Sequence, residues 1–365
     1  MSAPPEPRSL PSPPTDGVTC LSYLPSGGSS SSSLLASSSW DGTIRLYDTK
    51  EMKNVCIHSI ESGPLLSLAV DKTGSYLYTG GLDGSVRRFD IATSQVTTIG
   101  HHSSHIEIPS SQEQVACSCL SPLASSSEQN KDTSVLASAG WDSNFYLWDV
   151  RMNNDTGSKK AVSHIQLPGK AFSMDVNETR CVVATAGRRT CFIDVRMNTL
   201  GDVVEHAEIT LNRESSLKYQ TRVCRFFPDG SGIAVGSIEG RVAIEFLDEL
   251  GVESNMKKYA FKCHRVGDTV YPVNSIAFHH EYGTFATGGC DGSVVTWDGL
   301  NKKKLSTLHK FPTSISAMCF KSDGSELAIA SSYTFEEGER DHPRDEIYIR
   351  NVLDTEIRPK AKKSD

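Results

Sequence analysis

The chain has 365 residues, 38% hydrophobic and 22% charged, which is enough apolar material for one large core or two modest ones and too much for an extended disordered chain. Thirty-seven basic against forty-four acidic residues leave a net charge of −7, and a general binder of phosphate backbones needs a net basic footprint, so any anion site must be local. The longest apolar run, near Leu65 to Val70, is about a quarter of a bilayer span, so no membrane-crossing helix is expected.

Taken from the amino terminus, MSAPPEPRSLPSPPTDG lacks the charged and apolar regions of a secretory leader, and residues 1–16 read as a disordered proline-rich segment. A repeat then sets in. SSWDGTIRLYD (38–48), GGLDGSVRRFD (80–90), AGWDSNFYLWD (139–149), TAGRRTCFID (185–194), SIEGRVAIEF (237–246) and GGCDGSVVTWD (288–298) align on one another. Their turn positions Asp41, Asp83, Asp142, Gly187, Glu239 and Asp291 are spaced 42, 59, 45, 52 and 52 residues apart, near the period of WD-repeat blades. A seventh, degenerate copy spans 326–352, where ELAIASSY and EIYIRNV are split by a charged insertion over 336–344.

Within each copy apolar residues alternate, and Asp-Gly turns separate them, the period-two pattern of antiparallel hairpins. A second set of turns, around Gly74, Gly230, Gly283 and Gly324, keeps step with the first. Each unit is therefore a four-stranded meander; for the sixth the strands are expected at 273–278, 284–289, 293–297 and 304–309. The expected fold is all-β, a seven-bladed WD-repeat β-propeller over residues 17–356, followed by a basic flexible tail, 357–365. Closure requires an outer strand for the last blade, from beyond Val352 or from the amino terminus, where residues 8–10 are the candidate. The serine runs 29–33 and 125–127 read as loop-tip insertions.

The ten cysteines are scattered singly with no CxxC, and no histidine pair stands at ligand spacing, so buried structural thiols in a reducing compartment are expected, with no disulfide, no metal and no cofactor. No GxSxG, HExxH, Walker or dinucleotide signature is present, the cluster His101, His102 and His105 reads as loop packing, and the turn carboxylates serve local backbone, so no catalytic residue is assigned.

Strand direction selects a face. In a meander a–b–c–d, the start of strand a and the b–c turn share one end of the blade. At the b–c turns, blades one and three carry Trp40 and Trp141, whereas Trp148 and Trp297, at the end of strand c, are expected to pack between blades. Just after the turn lie Thr43, Ser85, Ser143 and Ser293 in four blades, while blades four and five carry Arg189 and Arg241. Arg188 precedes Arg189, and KYQTR opens strand a of blade five with Lys218 and Arg222. An acidic chain thus gathers five cations at one end of two neighbouring blades, in a chemistry suited to carboxylate or phosphate. The competing reading is surface pairing with Glu214, Glu239 or Glu245, worth about 0–1 kcal/mol each.

Beyond the repeats, SSWDGTIRLYD, TAGRR, ESSLKYQTR, SIEGRVAIEFLD, KKYAFKCHR, YPVNSIAFH, ATGGCDG, LAIASSY and HPRDEIYIR resemble the mitotic spindle-checkpoint WD-repeat family known as budding uninhibited by benzimidazoles, third member, over about 17–359. KYQ, SIEGRVAI and FKCHR are shared with a paralogous messenger-RNA-export, nucleoporin-binding propeller. Trp40-Asp41, Thr221 and HPRDEIYIR resemble the checkpoint members more. The chain departs from the pattern in its proline-rich amino terminus, at 125–132 and at 105–115.

The resemblance implies a non-enzymatic adaptor that binds a short glutamate-containing motif of checkpoint kinases and kinase-like checkpoint proteins. It also implies reading of phosphothreonine in Met-Glu-Leu-Thr repeats of a phosphorylated kinetochore scaffold. Carried over by position, Trp40, Trp141, Arg188 and Arg189 would hold the kinase motif, and Lys218, Arg222 and Arg241 the phosphothreonine peptide. The location implied is nucleus and kinetochore in mitosis, with cytoplasm as the alternative. Ubiquitin would be met only indirectly if at all, membrane not at all, and nucleic acid not directly. The rival functions are the export adaptor and a ubiquitin-ligase substrate receptor.

Overall fold

The computed structural model describes residues 5–25, 33–102, 115–123, 135–151, 161–197, 204–247 and 258–360. The serine runs at 29–32 and 125–127, His105 and the basic residues after 360 lie outside the described residues. The described strands form seven four-stranded antiparallel sheets and one two-stranded hairpin, Arg265–Val266 with Thr269–Val270. The seven innermost strands are Val18–Tyr23, Leu65–Val70, Cys117–Pro122, Ala171–Asn177, Thr221–Phe226, Val273–Phe278 and Ile315–Phe320. Each touches the next, and the seventh touches the first, so the sheets are blades of a closed ring. This is the seven-bladed propeller that the repeat predicts.

The chain folds this way because each copy supplies its own turns. Gly42, Gly84, Gly240 and Gly292 take φ between 59° and 79° at the b–c turns, where the left-handed region favours glycine. In blade three Ser143 takes the glycine place at φ 60°, so the counterpart of Thr43, Ser85 and Ser293 is Asn144, not Ser143 as the sequence alignment has it. In blade four the glycine place is held by Arg188, also at φ 60°.

Blades are locked to one another by apolar clusters that mix neighbours, such as Leu147, Phe145 and Val135 with Met174, Cys181 and Ile193 between blades three and four. Buried polar chains add rigidity. In blade three His102 bridges Asp142 Oδ1 (3.1 Å) and Ser138 Oγ (2.8 Å), which also accepts from Trp148 Nε1 (2.8 Å). Blade six repeats the chain with His264, Asp291 (2.8 Å), Thr287 (2.8 Å) and Trp297 (2.9 Å). Trp148 and Trp297 are therefore structural, as their place at the end of strand c predicts.

The seventh blade is completed from the other end of the chain. Arg8–Ser9 pairs with Glu346–Asn351, Arg8 opposite Ile349 and Ser9 opposite Tyr348, and Leu10 N–H donates to the Ile347 carbonyl at 2.8 Å. The expectation of disorder over 1–16 is thereby corrected for its described part. Leu10 is buried, Arg45 Nη1 donates to the carbonyls of Ser12 and Pro13, and Thr15 N–H donates to Asp41 Oδ2 at 3.0 Å. Composition reads polar and proline-rich, but the otherwise unpaired outer edge of blade seven gives this segment a backbone partner. At the other end a helical turn, Asp354–Ile357, buries Ile357 between blades six and seven, so packing continues through the residue where a flexible tail was expected to begin. No helix among the described residues is long and apolar enough to cross a membrane.

Candidate functional site

In every blade, the pairing of strand a with strand b shifts register at the second residue of strand a. A bulge of this kind re-aims the extra side chain. The seven residues so displaced are Thr19, Leu66, Ser118, Phe172, Arg222, Asn274 and Ser316, and all seven line one cavity of about 270 Å³ at the mouth of the channel. Trp40 and Trp141 line it too, together with Thr334. Trp40 is 41% exposed, with its ring edge over Gly17, and its backbone N–H donates to the Gly17 carbonyl at 2.9 Å. Two indoles, one phenyl ring and one guanidinium thus surround a single opening.

Arg222 is exposed, and both Nε (3.3 Å) and Nη2 (3.1 Å) donate to Asn274 Oδ1 on the next blade. Asn274 is fixed in turn, its Nδ2 donating to the Ile315 carbonyl at 3.2 Å and Thr334 Oγ1 at 3.3 Å. A neutral acceptor orients the guanidinium without cancelling its charge. Arg189 is held the same way, Nε donating to Asn212 Oδ1 at 3.1 Å.

The other cations stand farther out and meet carboxylates. Arg188 pairs with Glu214 and donates to the Leu217 carbonyl at 3.0 Å. Arg241 Nε lies 3.6 Å from Glu239 Oε2, and Lys218 N–H donates to Glu239 Oε1 at 2.9 Å while its side chain is exposed. Glu245 is not on this rim; it is buried against Arg213.

The arrangement groups the candidates differently from their order in sequence. Arg222 shares the inner mouth with Trp40 and Trp141. Arg241 is two strands outward in the same blade, roughly 10 Å at ordinary strand spacing, beside Lys262 and near Arg265, whose Nη2 donates to the Glu239 carbonyl at 2.9 Å. Arg188, Arg189, Lys218 and Arg241 make an outer shelf over blades four and five.

Sequence reasoning missed Phe172, Asn274, Lys262 and Arg265. Aligning the second residue of every strand a would have found the first two.

The turn acids serve the fold. Burial raises Asp41, but the Thr43 hydroxyl and the Thr15 and Thr43 N–H groups outweigh it and hold the carboxyl below its ordinary value. Asp291 behaves alike, burial being outweighed by His264 and Ser293. Among the described residues no group of three or more His, Cys, Asp or Glu side chains is placed to hold a metal ion. The opposite mouth, about 630 Å³, is lined by the far ends of strand a and contains Asp175, whose carboxyl burial pushes up, beside Arg225.

The WD domain, G-beta repeat model matches residues 6–48, 54–90 and 256–298. The chain is 40% identical over 351 residues to the mitotic checkpoint protein bub3 of Dictyostelium discoideum, covering 94% of each chain. It is 40% identical to the mitotic checkpoint protein BUB3.1 of Arabidopsis thaliana, over 97% of this chain and 95% of that one. A Poly(A)+ RNA export protein of Schizosaccharomyces pombe is 31% identical, over 96% and 92%.

Proposed function

The chain belongs to the Bub3 family of mitotic checkpoint WD-repeat proteins, and from that premise we propose that it is a non-enzymatic adaptor of the spindle assembly checkpoint. It binds a short glutamate-containing motif of checkpoint kinases and kinase-like checkpoint proteins, and brings them to kinetochores by reading phosphothreonine in Met-Glu-Leu-Thr repeats of a scaffold. It works in the nucleus and at the kinetochore in mitosis. The observation that carries this reading is the upper mouth, where Trp40, Trp141 and Phe172 surround an arginine whose partner is a neutral amide.

The kinase motif runs across Trp40, Trp141, Arg188 and Arg189. Indole faces give it apolar area, and a glutamate displaces water from Arg189 or competes with Glu214 for Arg188. The phosphothreonine sits over blade five, with Arg222 on its inner side and Lys218 and Arg241 on its outer side, a gap that long cationic side chains can close on one phosphate. A phosphate carries about −1.5 to −2 charges at neutral pH and three acceptor oxygens, so it outcompetes the singly charged Glu239 for Arg241, whereas an unmodified threonine offers neither.

Titration of paired phosphorylated and unphosphorylated threonine peptides, followed by fluorescence anisotropy, tests this. Losing one hydrogen-bonded charge at a partly buried contact costs about 2–5 kcal/mol, so Arg222→Ala and Arg241→Ala should each weaken the phosphopeptide at least tenfold. Equal affinity for the two peptides overturns the phosphate reading and favours the export adaptor, which would use this face without phosphate dependence.

A further inference from the structure

We propose that the loop between strands b and c of blade seven forms a further wall of the upper mouth, and that the peptide bound there seats an apolar side chain between Phe335 and Trp40. The inference rests on the peptide-binding reading of the mouth and adds a specificity-determining residue to it.

The loop begins at the mouth itself. Thr334 lines the cavity that Trp40 lines, and Phe335 follows it, one Cα step of about 3.8 Å away. Two residues earlier blades seven and one are tied, Val18 N–H donating to Ser332 Oγ at 3.1 Å next to Gly17, on which Trp40 rests, while Thr334 itself accepts from Asn274 Nδ2 of blade six at 3.3 Å.

Phe335 is 57% exposed and takes φ 57°. A phenylalanine in the left-handed region costs stability, and with more than half of the residue exposed its ring contacts with Tyr333 (5.3 Å) and His342 (6.3 Å) cover only part of it. The loop nevertheless holds it firmly. Glu336 accepts from Ser314 Oγ and from Thr334 Oγ1 (2.8 Å), and Glu337 N–H donates to Tyr333 Oη at 3.0 Å. Arg340 lies 4.8 Å from the centre of the buried Tyr333 ring, which in turn stands 5.3 Å from Phe335. A preorganised exposed ring beside an aromatic opening lowers the ordering cost of whatever binds it.

Charge sets the orientation of that peptide. Residues 333–346 hold six carboxylates against two arginines, whereas the shelf of blades four and five is basic. The acidic or phosphorylated part of the peptide therefore lies over blades four and five, and the part crossing blade seven carries the apolar residue with neutral or basic neighbours.

The test is selection of peptides from a random display library on the full-length chain, with the recovered peptides then titrated against variants. Phe335→Gly removes the ring and also relieves the backbone, so it should leave the melting temperature unchanged or raised while weakening the selected peptides about fivefold or more. Replacing the peptide's apolar residue by alanine should cost as much, and the two changes together little more than either. Unchanged affinity for Phe335→Gly, with Trp40→Ala and Arg222→Ala both weakened, overturns the loop's role alone. If no variant is weakened, or the wild-type chain enriches no peptide, the mouth reading falls with it.

Discussion

Arg222 and Arg241 belong to one blade but differ in what holds them. Arg222 leans on an amide oxygen and Arg241 on a carboxylate, so only the first presents a full charge before a ligand arrives. Strand direction was enough to assign both to one face, because alternate strands reverse. Their partners could not be read, since Asn274 stands 52 residues from Arg222 and comes beside it only when blades five and six abut. A further residue carries a pH-dependent consequence. Asp345 is buried, its Oδ1 has no hydrogen-bond partner, and burial, with Asp16 adding to it, raises its carboxyl above the ordinary value against the pull of Ser332 and His342. A raised carboxyl favours the folded state below its unfolded pKa, and that advantage disappears as pH rises through the folded value. Asp345→Asn should therefore melt higher than wild type at pH 7.5, with the difference shrinking towards pH 4. Thermal melts at the two pH values check it, and a difference that grows on acidification contradicts the assignment.

Among the elements, the two-residue strand Arg8–Ser9 has a consequence out of proportion to its length. It closes blade seven, and Leu10 behind it packs with Leu21, Leu35, Tyr47 and Ile347 across blades seven and one. Burying one leucine is worth about 1.5–3 kcal/mol, and the Arg45 bonds to Ser12 and Pro13 are lost with the segment. Deleting residues 1–16 should thus lower stability by about 3 kcal/mol or more. Chemical denaturation would read this as a lower midpoint, and an unchanged midpoint would show that the strand does not close the ring energetically. The central strands were legible because apolar alternation and Asp-Gly turns are local signals. The strand-a bulges were not, since a register shift is a relation between two strands and leaves no mark on either alone.

At the scale of the whole molecule, closure puts every blade between two others, so a single cooperative melting transition is expected, insensitive to reductant because all ten cysteines are free thiols. Burial pushes Cys119 and Cys191 up to about 11, and Cys224 and Cys263 up to about 12, so little thiolate is present at pH 8. Burial raises the partly exposed Cys20 and Cys319 as well, so reaction with a chromogenic disulfide at that pH should be slow for all but Cys56, and should reach ten thiols per chain on unfolding. Fast reaction of more than one in the native state would mean that the blades open independently. The sequence by itself determined the repeat, its seven copies, the strand order within each and the face on which Trp40, Trp141, Arg189 and Arg222 lie, because all of these follow from local turns and period-two alternation. Only the tertiary structure decided that residues 8–9 complete the last blade, that seven bulged side chains ring one opening, and that Arg222 joins the tryptophans while Arg241 stands two strands away. Those are distances between segments far apart in the chain, and they are set when the ring closes.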